Sequence, residues 1–209
     1  MRPARLAVLC SGEGTNLQAI LTAIRQRRLR ARVSIVVSDQ PRAKALGRAR
    51  RAQTTSIHLN PGAYPSRAAY DTALARVIQR AGARWVILAG FRRVLSPAFV
   101  RRFPLRILNV HPALLPAFRG LHAVRDALAY GVRVTGVTVH FVDTTVDHGP
   151  IIAQAPVVVK PGDTGATLLA RVHRVEHQLY PRVIHWAVTG RLRVQGRLVQ
   201  IRRGRAWAP

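Results

Sequence analysis

Residues 6–17 read LAVLCSGEGTNL, and this stretch decides the fold class. Five apolar residues lead into a loop with two glycines, and a helix-forming segment follows, the order typical of a parallel strand, a tight turn and a helix. Glycines let the backbone of such a turn approach a ligand closely, and the free N–H groups at the start of the helix attract an anion. The stretch therefore predicts an α/β fold whose first turn can hold a phosphate group.

Two other interpretations of this turn remain open. A dinucleotide site is one of them, because Asp39 ends the second predicted strand, where such a site has its ribose ligand. Against it, Leu17 occupies the position at which the pattern G-x-G-x-x-G requires its third glycine. A purely structural turn is the other, since a lone G-x-G is weak evidence of a ligand site. Taken alone, the turn predicts no more than a candidate site for a phosphate monoester.

Strand-like and helix-like segments alternate through the first half of the chain, as in a parallel sheet flanked by helices. Residues 85–89, WVILA, form a continuous apolar run, which is typical of a strand covered on both faces. Ser66 is a favourable N-cap for a helix that runs to about Arg80. The other predicted elements here are strands at 33–38, 56–59 and 105–110, helices at 17–27 and 43–52, and a short helix from Ser96-Pro97.

The second half of the chain has a different pattern. Residues 134–142 alternate in polarity like a half-exposed strand, which can pair in the antiparallel sense with a strand that follows. The later predicted elements are that second strand at 151–159, a helix at 164–177, another helix from Pro181, and a terminal hairpin of 191–194 and 198–201. No linker or repeat interrupts the sequence, so we expect residues 1–209 to form one α/β domain.

The charge of the chain is strongly positive: 34 Lys and Arg against 8 Asp and Glu give a formal net charge of +26. Such a field attracts anions and speeds their association, which points to a phosphorylated substrate or a nucleic acid. The arginines are spread along the chain and are not interleaved with the aromatic residues that stack on single strands. We therefore expect no specific nucleic-acid binding.

Cysteine content and hydropathy limit the class of protein further. Cys10, the one cysteine, excludes an internal disulfide and a cysteine-rich metal site. No run approaches the roughly 18 apolar residues of a membrane span. The first residues also lack the pattern of a signal peptide. The expected location is the cytoplasm, without membrane contact.

Asn109 and His111 lie at the carboxyl end of a predicted strand, and ligands bind at this edge of the sheet in open parallel folds. Alternation places both side chains on the same side of the strand. An Asn amide can hydrogen-bond an oxygen that gains negative charge, and a neighbouring imidazolium can stabilise it further. Asp147 lies on a glycine-containing turn between the two later strands. If it folds back onto His111, it can raise the imidazole pKa and orient the ring.

Structural roles are the alternatives for these residues, because a histidine after a strand and an aspartate in a turn are common without any chemistry. No serine or cysteine lies in a nucleophile elbow, so a covalent intermediate is not expected. His173 and His177 are one helical turn apart, but no third ligand obviously completes a zinc site, and we expect no metal. The residues alone predict an Asn–His–Asp cluster suited to a tetrahedral oxyanion.

Eight motifs then indicate a family resemblance. They are SGEGTNLQ (11–18), LAGF (88–91) with LSPAF (95–99), NVHP (109–112), LLP (114–116), GLH (120–122), TVHFV (138–142), DHGPI (147–151), and EH (176–177) before YP (180–181). In this order and register, from about residue 6 to residue 190, the sequence resembles the phosphoribosylglycinamide formyltransferases of purine synthesis. The resemblance implies a single-domain, Rossmann-like formyltransferase fold with a mostly parallel sheet and antiparallel strands in the C-terminal half.

The activity that the resemblance implies is transfer of a formyl group from 10-formyltetrahydrofolate, the co-substrate, to the amine of glycinamide ribonucleotide, with no metal. It also implies a phosphate-binding half over about residues 1–100 and a folate-binding, catalytic half over about 101–209, in a monomer or homodimer. The implied catalytic residues are Asn109, His111 and Asp147. The implied ribonucleotide ligands are Gly14, Thr15, Asn16, His173 and Glu176, and the implied folate site consists of Arg67, Arg92, Arg93, Val94, Leu95, Asn109, Asp143 and Asp147.

The sequence departs from the family pattern in three places. Arg92 stands where an apolar residue or Met is usual, residues 117–120, AFRG with Arg119, lack the usual Pro-Gly pair, and Val124 replaces a frequent histidine. These changes concern the acceptor side more than the Asn–His–Asp cluster. One alternative is therefore a formyltransferase for an amino-sugar nucleotide. Another, of a different class, is a non-catalytic protein that binds RNA or another anion on the same fold, and its binding would weaken steeply with salt.

Overall fold

The structure, a computed structural model, describes residues 3–202. Its main sheet has seven strands in the order β3-β2-β1-β4-β5-β6-β7. These strands are β1 Ala4–Cys10, β2 Ala31–Ser38, β3 Ser56–His58, β4 Trp85–Leu88, β5 Ile107–His111, β6 Val134–Phe141 and β7 Ile151–Val158. The first five are parallel, whereas β6 is antiparallel to β5 and β7 is antiparallel to β6. The predicted fold class is confirmed.

Helices cover both faces of this sheet. They are α1 Thr15–Arg25, α2 Lys44–Arg51, α3 Arg67–Arg80, α4 Pro97–Arg102, α5 Ala123–Tyr130 and α6 Gly165–Val188, with a 3₁₀ turn at Pro61–Ala63. Alternate residues of β1 enter two separate apolar clusters: Leu6 and Val8 pack with α1, α2 and α6, and Ala7 and Leu9 with α3 and α4. Burial on both faces explains why the strand reads as a continuous apolar run.

Several predicted boundaries are confirmed. The Ser66 side chain accepts a hydrogen bond from the Ala69 backbone N–H at 3.1 Å and caps α3 as expected. Ser96 caps α4 in the same way through the Phe99 N–H. The antiparallel pairing of β6 with β7 and the terminal hairpin, formed by β8 Leu192–Gln195 and β9 Leu198–Ile201, are also present. Helix α5 had not been predicted.

Two predictions are wrong. Strand β6 is not half exposed: all of its residues after Val134 are buried, because α6 covers one face and residues 113–115 approach the other. Nor does a second helix begin at Pro181, since α6 continues through it. The buried packing around Pro181 offsets the missing N–H donor. The neighbouring Tyr180 hydroxyl lies 3.0 and 2.9 Å from the carbonyl oxygens of Leu88 and Leu108, which ties the helix to the sheet.

The strand order changes direction at β1, whose two neighbours are β2 and β4. Chain connections leave this point on both sides, and they open a crevice beyond the carboxyl ends of β1, β4 and β5. The glycine turn after β1 and the end of β5 therefore face one another. Within residues 3–202, none of the helices combines the length and the apolar character that a bilayer-crossing segment requires.

Candidate active site

The glycine turn after β1 is shaped for an anion. Gly14 has φ 71° and precedes α1, and no side chain caps the helix. A Cβ at Gly14 would lie 2.7 Å from the Ala45 Cα, so α2 packs against this turn more closely than any side chain allows. The first amides of α1 have no partner within the helix and remain donors for a ligand.

Basic side chains surround the same turn. The Lys44 ammonium lies 3.1 Å from the Glu13 carboxylate, and Arg48 Nε donates to the Glu13 carbonyl oxygen at 2.8 Å. Arg48 therefore adds positive charge beside the turn, whereas the Glu13 carboxylate offsets the charge of Lys44. Because the helix start itself carries partial positive charge, this corner of the molecule favours a dianionic phosphate.

Helix α6 supplies the opposite wall near the turn. Asn16 Nδ2 donates to Glu176 Oε2 at 2.8 Å, a contact that joins α1 to α6. Burial raises the pKa of Glu176 to about 7, against the opposing effect of the Asn16 hydrogen bond. His173 Nε2 lies 4.0 Å from Glu176 Oε2, and burial lowers the pKa of His173. The carboxyl of Glu176 can thus act as donor or acceptor near neutral pH.

Asn109, His111 and Asp147 meet as the sequence predicted. His111 Nδ1 lies 3.3 Å from Asp147 Oδ2, and Asn109 Nδ2 donates to Asp147 Oδ1 at 3.4 Å. The Gly120 backbone N–H donates to Asp147 Oδ2 at 2.9 Å. Asp147 itself has φ 48°, a left-handed conformation that turns its carboxylate inward. The carboxylate therefore faces the imidazole and not solvent.

His140 is a fourth member of this cluster that sequence reasoning missed. It is 1% exposed and pairs with Asn109 across β5 and β6. His140 Nδ1 lies 2.7 Å from the Phe141 carbonyl, so this nitrogen carries the proton and Nε2 can accept from Asn109 Nδ2 at 3.2 Å. Its Nε2 also lies 3.7 Å from Asp147 Oδ1. The motif TVHFV contained it, but its role depends on strand register, which no local signal gives.

The charge state of His111 depends on opposing effects. Burial lowers the pKa of His111, and the Asp147 carboxylate and the Phe118 carbonyl oxygen, 2.7 Å from Nε2, offset it only in part. Asp147 therefore acts in the predicted direction, but burial outweighs its effect on the pKa of His111. For Asp147, the His111 ring and the Gly120 N–H act against burial, and the pKa of its carboxyl is lowered. The aspartate remains an anion that can hold an imidazolium once the ring is protonated.

The phosphate turn and the Asn–His–Asp cluster open into one cavity of about 540 Å³. Its walls include all of the site residues predicted from the sequence except Arg67, which lies exposed at the first turn of α3. Asp39 does not line it either, so the structure gives no support to a dinucleotide site. The predicted residues that do line it are Gly14, Thr15, Asn16, Arg92, Arg93, Val94, Leu95, Asn109, His111, Asp143, Asp147, His173 and Glu176.

The segment 90–95 forms the apolar and cationic wall of this cavity. The Arg92 backbone N–H donates to Ser11 Oγ at 2.9 Å, which fixes the segment to the end of β1. The Arg93 guanidinium lies 5.1 Å from the centre of the Tyr70 ring. Within the part of the chain that the structure describes, no group of three or more His, Cys, Asp or Glu side chains is arranged to hold a metal ion.

Comparison with known proteins agrees with this geometry. A model of the formyl transferase family matches residues 4–184, which include the whole cluster. The phosphoribosylglycinamide formyltransferase of Escherichia coli K12 is 44% identical over 189 residues, 90% of this chain and 89% of that protein. The enzyme of the same name from Bacillus subtilis 168 is 37% identical over 180 residues, 86% of this chain and 92% of that protein.

A solved structure, that of glycinamide ribonucleotide transformylase 1 from Symbiobacterium toebii, superposes with a TM-score of 0.95 at 50% identity. The match covers 97% of this chain and 95% of that chain. The chain therefore belongs to the formyl transferase family and, within it, to the phosphoribosylglycinamide formyltransferases. The resemblance inferred from the eight motifs is confirmed.

Proposed function

We propose that this chain transfers the formyl group of 10-formyltetrahydrofolate to the amine of glycinamide ribonucleotide and releases formylglycinamide ribonucleotide and tetrahydrofolate. The observation that carries the proposal is the single cavity shared by the anion-binding turn and the Asn109–His111–Asp147 cluster. Two relatives named phosphoribosylglycinamide formyltransferase, 44 and 37% identical to this chain, support the same reaction. The reaction would belong to purine synthesis in the cytoplasm. The enzyme would act as a monomer or a homodimer.

The phosphate end of the ribonucleotide is assigned to the turn after β1. Its oxygens would accept from the free backbone amides of Gly14, Thr15 and Asn16 at the start of α1, near the positive charge of Arg48. Glu176 and His173, on the facing wall, would contact the ribose and the adjoining polar groups. This half of the site corresponds to the first half of the chain plus one face of α6.

The folate is assigned to the other end of the cavity. The segment Arg92-Arg93-Val94-Leu95 and the loop 143–147 would hold the pterin and benzoyl groups, while the exposed Arg67 can only meet the glutamate tail beyond the cavity. This arrangement leaves the formyl group between the two halves, next to Asn109. Both substrates then meet at the end of β5.

The reaction itself needs no covalent enzyme intermediate. The substrate amine attacks the formyl carbon, and the carbonyl electrons move onto oxygen to give a tetrahedral oxyanion. Collapse of this intermediate breaks the bond to folate N10, which leaves with the proton lost by the attacking amine. Donors aimed at the developing oxyanion are worth about 10²–10³-fold each in related chemistry, and general acid–base help about 10²–10⁴-fold.

Asn109 and His111 are the donors for that oxyanion. The Asn109 amide donates to His140 and Asp147, and His111 Nε2 faces the Phe118 carbonyl. The oxyanion would take the place of Asp147 and Phe118 as acceptor, while His140 continues to orient the Asn109 amide. A negative oxyanion beside the imidazole adds to the effect of Asp147 and favours the protonated ring. Asp147 would thereby hold His111 charged during the reaction and, through bound water, relay the amine proton to N10.

The test is an acceptor screen with 10-formyltetrahydrofolate, in which release of tetrahydrofolate is followed. Glycinamide ribonucleotide, an amino-sugar nucleotide and water alone are compared at equal concentration. The proposal requires turnover with glycinamide ribonucleotide and little with the other two. Turnover with the amino-sugar nucleotide alone, or none with any acceptor, would refute it.

A further inference from the structure

The terminal hairpin reaches back to the folate side of the cavity. Gln195 pairs with Leu198, so the tip consists of Gly196, with φ 58°, and Arg197. Val194 and Val199 pack against the main apolar core. The tip is therefore fixed to the body of the protein by its own strands.

From this position Arg197 contacts His148, which lies 49 residues earlier in the chain. Its Nη2 donates to the His148 carbonyl oxygen at 2.8 Å, and its Nη1 lies 3.2 Å from His148 Nε2. His148 Nδ1 in turn lies 2.7 Å from Asp143 Oδ2. A neutral ring with its proton on Nδ1 satisfies both contacts, since it donates to Asp143 and accepts from Arg197.

These contacts close the loop between β6 and β7. Asp143 lies near the start of this loop, residues 142–150, and His148 lies near its end, so the hydrogen bond between them joins the two ends. Asp143 Oδ1 also accepts from the Thr145 N–H at 2.9 Å. Residues 143–147 line the cavity, whereas His148 and Arg197 stand outside its wall. Arg197 thus contacts the loop from outside the cavity.

The backbone of this loop needs such support. Asp147 has φ 48°, a left-handed conformation that few residues other than glycine adopt, although aspartate tolerates it better than most. Strain of this kind persists only where surrounding contacts determine the conformation. Inside the cavity, the Gly120 N–H holds the Asp147 carboxylate, and outside it, Arg197 holds the carbonyl of the next residue.

We infer that Arg197 is a positioning residue for the folate-side loop 143–147, acting through His148 and Asp143. The inference rests on the proposed function, which assigns this loop to the folate. Because Asp147 keeps its inner contacts with Gly120 and His111, loss of Arg197 loosens the outer residues 143–146 more than the reacting carboxylate. The folate KM should therefore change more than kcat.

The experiment compares Arg197→Gln with Arg193→Gln. Both remove one positive charge from the same hairpin, and Arg193 is exposed and has no hydrogen-bond partner for its side chain among the described residues. Arg197→Gln should raise the KM for 10-formyltetrahydrofolate about threefold to tenfold, with kcat within about twofold and the KM for the ribonucleotide unchanged. Arg197→Lys, which keeps a donor for the carbonyl, should recover part of the loss.

Hydrogen exchange of the free protein gives a readout that does not depend on activity. Amides of residues 143–148 should exchange faster in Arg197→Gln and at the wild-type rate in Arg193→Gln. Equal exchange and equal KM values in the two variants would overturn the inference, as would equal rises of both KM values together with a lower Tm. If wild-type protein fails to use glycinamide ribonucleotide, the proposed function fails, while the exchange data still decide whether Arg197 orders the loop.

Discussion

Asp147 Oδ2 lies 3.3 Å from His111 Nδ1, although 36 positions separate the two residues in the chain. Both side chains are at most 10% exposed, so solvent screens the pair weakly. The left-handed backbone at Asp147 and the Gly120 N–H bring the carboxylate to the ring. A buried carboxylate at this distance gives the imidazole a fixed orientation and a partner for its positive charge.

Asp147→Asn tests the charge of this pair while nearly preserving its shape. The amide oxygen can still accept from Gly120, but the imidazolium loses its counter-charge, and the pKa of His111 falls further because Asp147 is the main influence that raises it. We expect kcat to fall about 10²–10⁴-fold, with much smaller changes in KM. Steady-state kinetics measure the effect. The control is Asp126→Asn, which removes an exposed carboxylate that pairs with Arg125. Equal losses in the two variants would contradict the role of Asp147.

His140→Phe tests the acceptor that orients Asn109. The ring volume is retained, but Asn109 Nδ2 loses the Nε2 atom that lies 3.2 Å away. We expect kcat to fall about tenfold. The matched measurement is a double-mutant cycle with Asn109→Ala, in which removal of His140 should have little further effect. Fully additive losses would show that His140 acts through some other group.

Glu176→Gln tests the buried carboxyl through the pH dependence of stability. Its pKa is raised to about 7 when folded, above its value in the unfolded chain, so the folded state binds this proton more tightly. The protonated Glu176 carboxyl therefore contributes its full stabilisation at pH values below the unfolded pKa of the group. This stabilisation is lost as pH rises through about 7. Between pH 6 and 8, the free energy of unfolding of the wild type should fall by about 1 kcal/mol more than that of Glu176→Gln. Urea unfolding of both proteins measures the difference, and parallel pH profiles would exclude the assigned ionisation.

Gly14→Ala tests the close approach of α2 to the anion turn. The added Cβ would lie 2.7 Å from the Ala45 Cα, and the residue must also keep φ 71°. We expect a loss of about 1–2 kcal/mol in stability and a raised KM for the ribonucleotide. Gly165→Ala is the control, because a Cβ there meets nothing within 4 Å and the residue does not line the cavity. Tm and KM values that are alike in the two variants would argue against a constrained turn.

Local sequence signals predicted the parts of the molecule that depend on local physics. The apolar run before the glycine turn, the Ser66 cap and the shared side of Asn109 and His111 follow from strand and helix periodicity. Pro181 does not start a new helix, because the burial of α6 against the sheet outweighs the low helix propensity of proline.

Other features depend on contacts between distant segments. His140 joins the site only because β6 pairs with β5 in a register that sets it opposite Asn109. Arg197 reaches His148 because the last hairpin folds back over the loop. Burial of His111, which outweighs Asp147 in setting its pKa, arises from the whole cavity wall. No motif carries this information.

The most direct measurement is the turnover of 10-formyltetrahydrofolate and glycinamide ribonucleotide by wild type and by His111→Ala, with Tm recorded to show that both are folded at the assay temperature. Removal of the imidazole should lower kcat about 10²–10⁴-fold, while calorimetry shows the ribonucleotide still bound at the distant turn. A folded His111→Ala protein that forms formylglycinamide ribonucleotide as fast as the wild type would contradict catalysis by the Asn109–His111–Asp147 cluster.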